Sequence, residues 1–262
     1  MRIVARYAYV VDLDRCMGCR ACAVACKVEN NTGEGAFWMW VFRYETGKYP
    51  NAKTEYLPRP CMHCENPPCV MVCPTGARFR REEGGFVLTD YDLCIGCRYC
   101  EVACPYGVNF FNWGHPDRNQ YYEYKNNEGK NVYGSGSVKD EVGNFSPPYR
   151  NPDHQKLYGG RLVSGANHYL GVIEKCTWCV HRVEKGLLPA CVANCPVFAL
   201  HFGDLDDPNS AVSKILAKKK SFRLLEELGT EPRVYYVGGR QPTHEVRELI
   251  GVRRPITKRQ VR

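Results

Sequence analysis

Sixteen cysteines, gathered into four groups of four along 262 residues, constrain this chain more than any other feature of its sequence. Group one is Cys16, Cys19, Cys22 and Cys26, and group two is Cys61, Cys64, Cys69 and Cys73. Group three is Cys94, Cys97, Cys100 and Cys104, and group four is Cys176, Cys179, Cys191 and Cys195. Long cysteine-free stretches separate them. A secreted disulfide scaffold is usually short and scatters its cysteines among loops. Ligands of a metal centre bunch together, because all of them must reach one place. The 44% hydrophobic fraction includes these sixteen residues, so ordinary side-chain packing has less to work with than the figure implies.

Groups one and three share the spacing C-x2-C-x2-C-x3-C. In bacterial ferredoxins three cysteines of such a run hold one cubane and the fourth ligates the other cluster. Three thiols two residues apart can curl around one cluster face. The fourth lies about one helical turn further on and points away, towards a second cluster. Proline after the fourth cysteine fixes the backbone there. Pro74, Pro105 and Pro196 occupy that place, and group one departs with Lys27. Groups two and four keep the first and last pairs and lengthen the middle to x4 and x11. Group four alone resembles a zinc ribbon, but three cysteines in seven residues crowd a single tetrahedral metal. The expectation is therefore [4Fe–4S] clusters, with zinc or disulfides as the alternatives.

The sequence also repeats itself. The segment Asp12 to Arg20 (DLDRCMGCR) matches Asp90 to Arg98 (DYDLCIGCR), and Val24-Ala25-Cys26 matches Val102-Ala103-Cys104. Around Cys69 and Cys73, PCVMVCP echoes PACVANCP around Cys191 and Cys195. This predicts an α+β fold of two ferredoxin-like units related by an internal repeat, with long loop insertions. Strands are expected at Tyr7–Asp12 and Gly85–Thr89, leading into groups one and three. Return strands are expected at Arg78–Arg80 and Ala199–Phe202, and short helices after the third cysteine of each group.

Formal charge is +8. Four oxidised clusters with their thiolates would contribute about −8, so the excess of Lys and Arg balances them without invoking nucleic acid. No apolar run reaches the roughly 20 residues needed to span a bilayer. Residues 1–11 are too short and polar for a secretory signal, and no twin-arginine pair precedes an apolar stretch. Neither a Walker loop nor a strand–GxGxxG–helix context occurs, and no nucleophile–base motif is evident. The chemistry on offer is one-electron transfer, with no catalytic residue.

Beyond the generic ferredoxin pattern, CMHCENPPC from Cys61, CIGCRYC from Cys94, CPYG from Cys104, KCTWC from Lys175 and FGDLDDP from Phe202 resemble a known subunit type. It is the iron–sulfur electron-transfer subunit of complex iron–sulfur molybdoenzymes, such as dimethyl sulfoxide, polysulfide and tetrathionate reductases. The iron–sulfur domain of alternative complex III is similar. The resemblance runs over residues 5 to 240 and takes in all sixteen cysteines. It implies four clusters. Cluster 1 takes Cys16, Cys19, Cys22 and Cys195. Cluster 2 takes Cys176, Cys179, Cys191 and Cys26. Cluster 3 takes Cys61, Cys64, Cys69 and Cys104. Cluster 4 takes Cys94, Cys97, Cys100 and Cys73. Some relatives replace the residue at position 97 and hold a [3Fe–4S] centre, but Cys97 is present here. The implied units are residues 1–60 with 171–209, and residues 61–111, followed by an insertion at 112–170 and a C-terminal helix, strand and basic tail at 210–262. Such a subunit relays single electrons between a molybdopterin (Mo or W) catalytic subunit and a multi-span, quinone-reactive membrane subunit. Partners would bring it to the membrane, with the extracytoplasmic face as the expected side. The competing classes are a free soluble polyferredoxin and an iron–sulfur sensor, and no output module supports the latter.

Between Cys104 and Cys176 lie 71 residues, longer than such subunits lead one to expect. The insertion is rich in Gly, Asn, Pro and Tyr, and its tyrosines between Tyr121 and Tyr149 suit a partner-docking loop. Lys175, Arg20 and Arg98 adjoin cluster ligands. They would raise a cluster's potential if they point inward and would be solvated charges if they do not. His63 and His181 lie near cysteines, yet a Rieske centre needs histidines in place of cysteines and none is missing. Residues 210–228 read as an amphipathic helix, with Val212, Ile215, Leu216, Leu224 and Leu225 apolar. The tail Val252–Arg262 is basic and reads as a flexible or partner-bound extension rather than an RNA-binding arm.

Overall fold

The computed structural model describes residues 5–30, 32, 35–113, 156–158, 161–164 and 170–242. The tyrosines from Tyr121 to Tyr149 and the basic tail from Val252 lie outside the described residues.

Strand β1 (Tyr7–Asp12) leads into group one, and helix α1 (Ala21–Asn30) carries Cys22 and Cys26. A hairpin of β2 (Trp40–Thr46) and β3 (Lys53–Arg59) follows. Helix α2 (Pro68–Met71) holds Cys69 and leads to β4 (Arg78–Arg80), which pairs antiparallel with β5 (Val87–Thr89). Helix α3 (Tyr99–Ala103) holds Cys100. Strand β6 (Phe110–Phe111) is the near side of the insertion, which contains a hairpin of β7 (Lys156–Tyr158) and β8 (Arg161–Ser164). On the far side β9 (Ile173–Glu174) pairs with β6, so residues 112 and 171 meet at the base of the insertion. Helices α4 (Val180–Val183) and α5 (Ala190–Ala193) flank the long middle gap of group four. The chain then forms β10 (Leu200–Asp204), α6 (Ala211–Lys218), β11 (Ser221–Phe222) and β12 (Val234–Val237).

The largest sheet has the order β10-β1-β12-β11. Strand β1 is central, antiparallel to β10 and parallel to β12. Its alternation sorts its side chains between two faces. Tyr9 and Val11 join the main core, while Val10 packs with Val212 and Val237 under α6. At the middle of the main core stands Trp178, 1% exposed. Its ring meets those of Tyr9, His63, Phe86 and Phe202 at 6.3, 4.2, 6.3 and 5.4 Å between centroids. Its indole N–H donates to the Cys61 carbonyl at 3.1 Å, which ties group four to group two. Truncating such a ring costs about 3–5 kcal/mol. Trp178→Ala is therefore expected to lower the thermal midpoint of the cluster-loaded protein, read by differential scanning calorimetry.

The expected strand at Tyr7–Asp12 is β1, and Arg78–Arg80 is β4. Gly85–Thr89 shortens to Val87–Thr89, because a 3-10 turn with Gly84 at φ 70° occupies residues 83–85. Ala199–Phe202 shifts to Leu200–Asp204. The short helices begin ahead of the third cysteine rather than after it. The helix expected over 210–228 stops at Lys218. The positions one turn beyond Ile215 and Leu216 are Lys219 and Lys220, so the apolar stripe lapses. Lys219 instead reaches Asp12 at 2.7 Å, and Phe222 pairs with Tyr236 in the sheet. The long β2–β3 hairpin had no sequence expectation at all.

Candidate functional site: the cysteine-lined cavities

Each cysteine loop curls through residues held at positive φ. In group one these are Gly18 and Arg20 at φ 69° and 62°, and in group three Gly96 and Arg98 at φ 68° and 63°. Alternating left- and right-handed residues turn successive backbone N–H groups into a concavity that suits an anion. Several N–H groups reach sulfur in this way. Arg78 donates to Cys73 Sγ at 3.3 Å, Trp178 to Cys176 Sγ at 3.4 Å and Ala199 to Cys195 Sγ at 3.3 Å. Glycine is obligatory at two of the bends. A Cβ on Gly96 would overlap the Gly171 carbonyl, and one on Gly18 would overlap the Tyr56 ring. Since the left-handed conformation adds about 1–2 kcal/mol for any other residue, Gly96→Ala should release the iron of that loop. Iron per chain and the melting temperature would both fall.

All sixteen cysteines are free thiols. Three cavities, each partly open to solvent, are each lined by four of them. The first holds Cys73, Cys94, Cys97 and Cys100. The second holds Cys61, Cys64, Cys69 and Cys104. The third holds Cys16, Cys19, Cys22 and Cys195. In every one, three cysteines come from one group and the fourth from another. The remaining four are buried together. Burial, then the adjoining thiols of Cys176, Cys179 and Cys191, push the Cys26 thiol well up. The Asn30 amide lies 3.6 Å from Cys26 Sγ and 3.8 Å from Cys179 Sγ, and the Tyr9 hydroxyl is 3.3 Å from Cys191 Sγ.

The four sets run in a line. Cys22 in one and Cys26 in the next sit one turn apart on α1. Burial and then Cys61 push Cys176 up to about 12, so the second and third sets adjoin. The Arg78 guanidinium spans the third and fourth, through Cys69 and Cys100. The inner sets are mostly buried, whereas Cys19 and Cys97 at the two ends are exposed. Apolar side chains stand around those ends. Met17, Val24 and Phe198 are 57%, 61% and 66% exposed at one, and Ile95, Tyr99 and Val102 are 67%, 56% and 67% exposed at the other.

This donor set fits an iron–sulfur core. Burial foremost, with the neighbouring thiols, holds Cys22, Cys179 and Cys191 up at about 12, so thiolates at this density need a polycationic partner. Among the described residues no three or more His, Cys, Asp or Glu side chains converge closely enough for one metal ion. Thiols set around the corners of a multi-iron core are spaced more widely than that. The histidines do other work. His63 accepts the Val87 N–H on Nδ1 at 3.0 Å and hydrogen-bonds the Cys176 carbonyl through Nε2 at 2.9 Å. Burial, then Lys175 and Arg233, keep it neutral. His181 faces Glu29 at 2.7 Å. Of the three cations singled out in sequence, Lys175 is buried and turned onto the Val87 and Cys176 carbonyls. Arg20 and Arg98 lean instead over the rings of Trp40 and Trp113, at 5.9 and 4.6 Å. Sequence reasoning missed Tyr9, Asn30 and Arg78. None lies within a cysteine motif, so only the fold brings them to the sulfurs.

These features define an iron–sulfur protein of the ferredoxin type, with mixed helices and strands. The 4Fe-4S dicluster domain family matches residues 52–120 with 163–205, and a second family of the same description matches residues 15–77. A selenate reductase subunit from Mesobacillus selenatarsenatis is 40% identical over 88% of this chain and 72% of its own. The arsenate respiratory reductase iron–sulfur subunit of a Shewanella species is 40% identical over 88% of this chain and 96% of its own. The iron–sulfur cluster-binding subunit of a menaquinone reductase from Nitratidesulfovibrio vulgaris is 34% identical over 90% of each chain. The chain belongs to the family of iron–sulfur electron-transfer subunits of complex iron–sulfur molybdoenzymes. Among its described residues no helix is long and apolar enough to cross a membrane.

Proposed function

We propose that this chain carries four [4Fe–4S] clusters and relays single electrons between a molybdopterin catalytic subunit and a quinone-reactive membrane subunit. The ligand sets are Cys16, Cys19, Cys22 and Cys195 for cluster 1, and Cys26, Cys176, Cys179 and Cys191 for cluster 2. Cluster 3 takes Cys61, Cys64, Cys69 and Cys104, and cluster 4 takes Cys73, Cys94, Cys97 and Cys100. The observation that carries this reading is the grouping of the thiols into four sets along a line, each drawing three from one group and one from another. When bound, the clusters supply one-electron chemistry, and the protein supplies their spacing, dryness and charge.

The chain divides into two related units in this account. One comprises residues 1–60 with 171–209, and the other residues 61–111. Two pairings support it. Strand β1 enters group one and pairs with β10, which leaves group four; β5 enters group three and pairs with β4, which leaves group two. The Asp12 N–H donates to the Ala199 carbonyl and the Asp90 N–H to that of Ala77, both at 2.7 Å. Apolar side chains around Cys19 and Cys97 give each end a surface for a partner. The menaquinone reductase relative favours a quinone-linked complex.

Anaerobic purification from native membranes tests the partners, with mass spectrometry of every copurifying chain and assay of Mo and W. A large molybdopterin chain and a multi-span membrane chain are expected in the same peak. Recovery of this chain alone in the soluble fraction, with iron but neither Mo nor W, would replace the relay with a free polyferredoxin.

A further inference from the structure

The return strands of the two units open on different residues. Each follows the same turn, Cys-Pro-x-x-Ala, which ends at Ala77 in one and Ala199 in the other. The next residue is Arg78 in β4 but Leu200 in β10. Both are buried, Arg78 at 2% and Leu200 at 4% exposed. A guanidinium thus stands where the other unit has an isobutyl group.

Arg78 is not held as a buried arginine ordinarily is. Its Nη2 donates to Asn109 Oδ1 at 2.9 Å and to Cys100 Sγ at 3.4 Å. Its Nε and Nη1, also buried, have no acceptor among the described residues, and no carboxylate of those residues pairs with it. A buried cation without a counter-ion is destabilising, and each buried hydrogen bond left unmade adds to that cost. The negative groups facing it are the sulfurs of Cys69, Cys100 and Cys61, which belong to two different cavities. Arg78 also lines the cavity of Cys73, Cys94, Cys97 and Cys100 directly.

We infer that Arg78 is the counter-ion of the two clusters in its unit, and that its free N–H groups donate to their sulfur atoms. This rests on the four-cluster reading above. Adding one electron takes a cluster with its four thiolates from about −2 to −3, while the guanidinium stays protonated throughout. The added charge is therefore stabilised beside Arg78 and not beside Leu200. Arg78 thereby raises the reduction potentials of clusters 3 and 4 relative to those of clusters 1 and 2. Lys175 faces Cys69 of one unit and Cys176 of the other, so it acts on both and leaves the difference between the units to Arg78. Electrons shared along the line come to rest in the unit formed by residues 61–111.

The test is an EPR-monitored redox titration of the holoprotein in its native complex, comparing the parent with Arg78→Gln and Arg78→Lys. Iron is quantified in every sample. A parent without about 16 iron atoms per chain speaks against the four-cluster reading itself. With that reading intact, Arg78→Gln is expected to weaken the electron affinity of at least one cluster tenfold or more, which is about 59 mV for a one-electron couple. Arg78→Lys keeps the charge and loses part of the donor fork, so its shift is smaller and falls on the same cluster. The clusters of the other unit hold their midpoints. Unchanged midpoints in a fully loaded Arg78→Gln protein would overturn the inference. So would an Arg78→Lys protein with parental midpoints alongside an Arg78→Gln protein that loses iron, because Arg78 would then serve assembly alone. Loss of iron from both variants overturns it as well.

Discussion

Stripping the iron anaerobically with a chelator will unfold the segments that carry the cysteines, and near-UV circular dichroism and protease resistance will be lost together. Three of the four cysteine sets line hollows between their loops, and little besides the bound iron would hold those loops together. Helices α2, α4 and α5 have four residues each and α3 has five, far below the roughly 12–15 at which an isolated helix is even marginal. Cysteine itself supplies much of the main core, including Cys22, Cys26, Cys61, Cys176 and Cys191. Metal binding and folding are then one process. A chelated protein that kept its near-UV signal and its resistance to trypsin would show that side-chain packing holds these loops without iron.

Exchange of single cysteines will delete clusters in a pattern that crosses the sequence groups. Cys22 and Cys26 lie one turn apart on α1, yet Cys22 adjoins Cys16 and Cys195, and Cys26 adjoins Cys176 and Cys179. Cys26→Ser is therefore expected to abolish the same EPR signal as Cys191→Ser, while Cys22→Ser abolishes a different one, shared with Cys195→Ser. Each change should remove about one to four iron atoms, since a cubane that loses a thiolate either sheds one iron or is lost entirely. Electron flow through the complex should fall to background in every case, because the sets lie in a line. If Cys22→Ser and Cys26→Ser extinguished one and the same signal, each sequence group would ligate its own cluster and the crossed sets would be wrong.

The cysteine spacings told which chemistry the chain could host, because ligand spacing is a local property of a loop. Strand β1 was legible as a short apolar run beside a cysteine loop, and β4 by its place directly after the turn that follows group two. The helix over 210–228 was not. Its stripe fails at Lys219 and Lys220, but the pairing of Phe222 with Tyr236 that replaces it is a long-range contact without a local signature. The β2–β3 hairpin escaped notice because its apolar positions are broken by exposed Arg43, Glu45, Lys53 and Thr54 and its turn falls near Gly47 rather than at an Asn-Gly pair. Arg78 was invisible as a site residue, since an arginine in a short polar run reads as a surface charge. Its burial follows only once groups two and three meet. Lys175 and Arg98 looked alike in sequence, both next to ligands, and the fold separated them by turning one inward and the other over Trp113.

Whether one chain holds four cubanes is decided by iron and acid-labile sulfide determined per chain on anaerobically purified holoprotein, with EPR spin counting after full reduction. About 16 iron and 16 sulfide with four one-electron signals are expected. About half that iron, or zinc in place of part of it, would contradict the claim and leave some of the sixteen cysteines to another role.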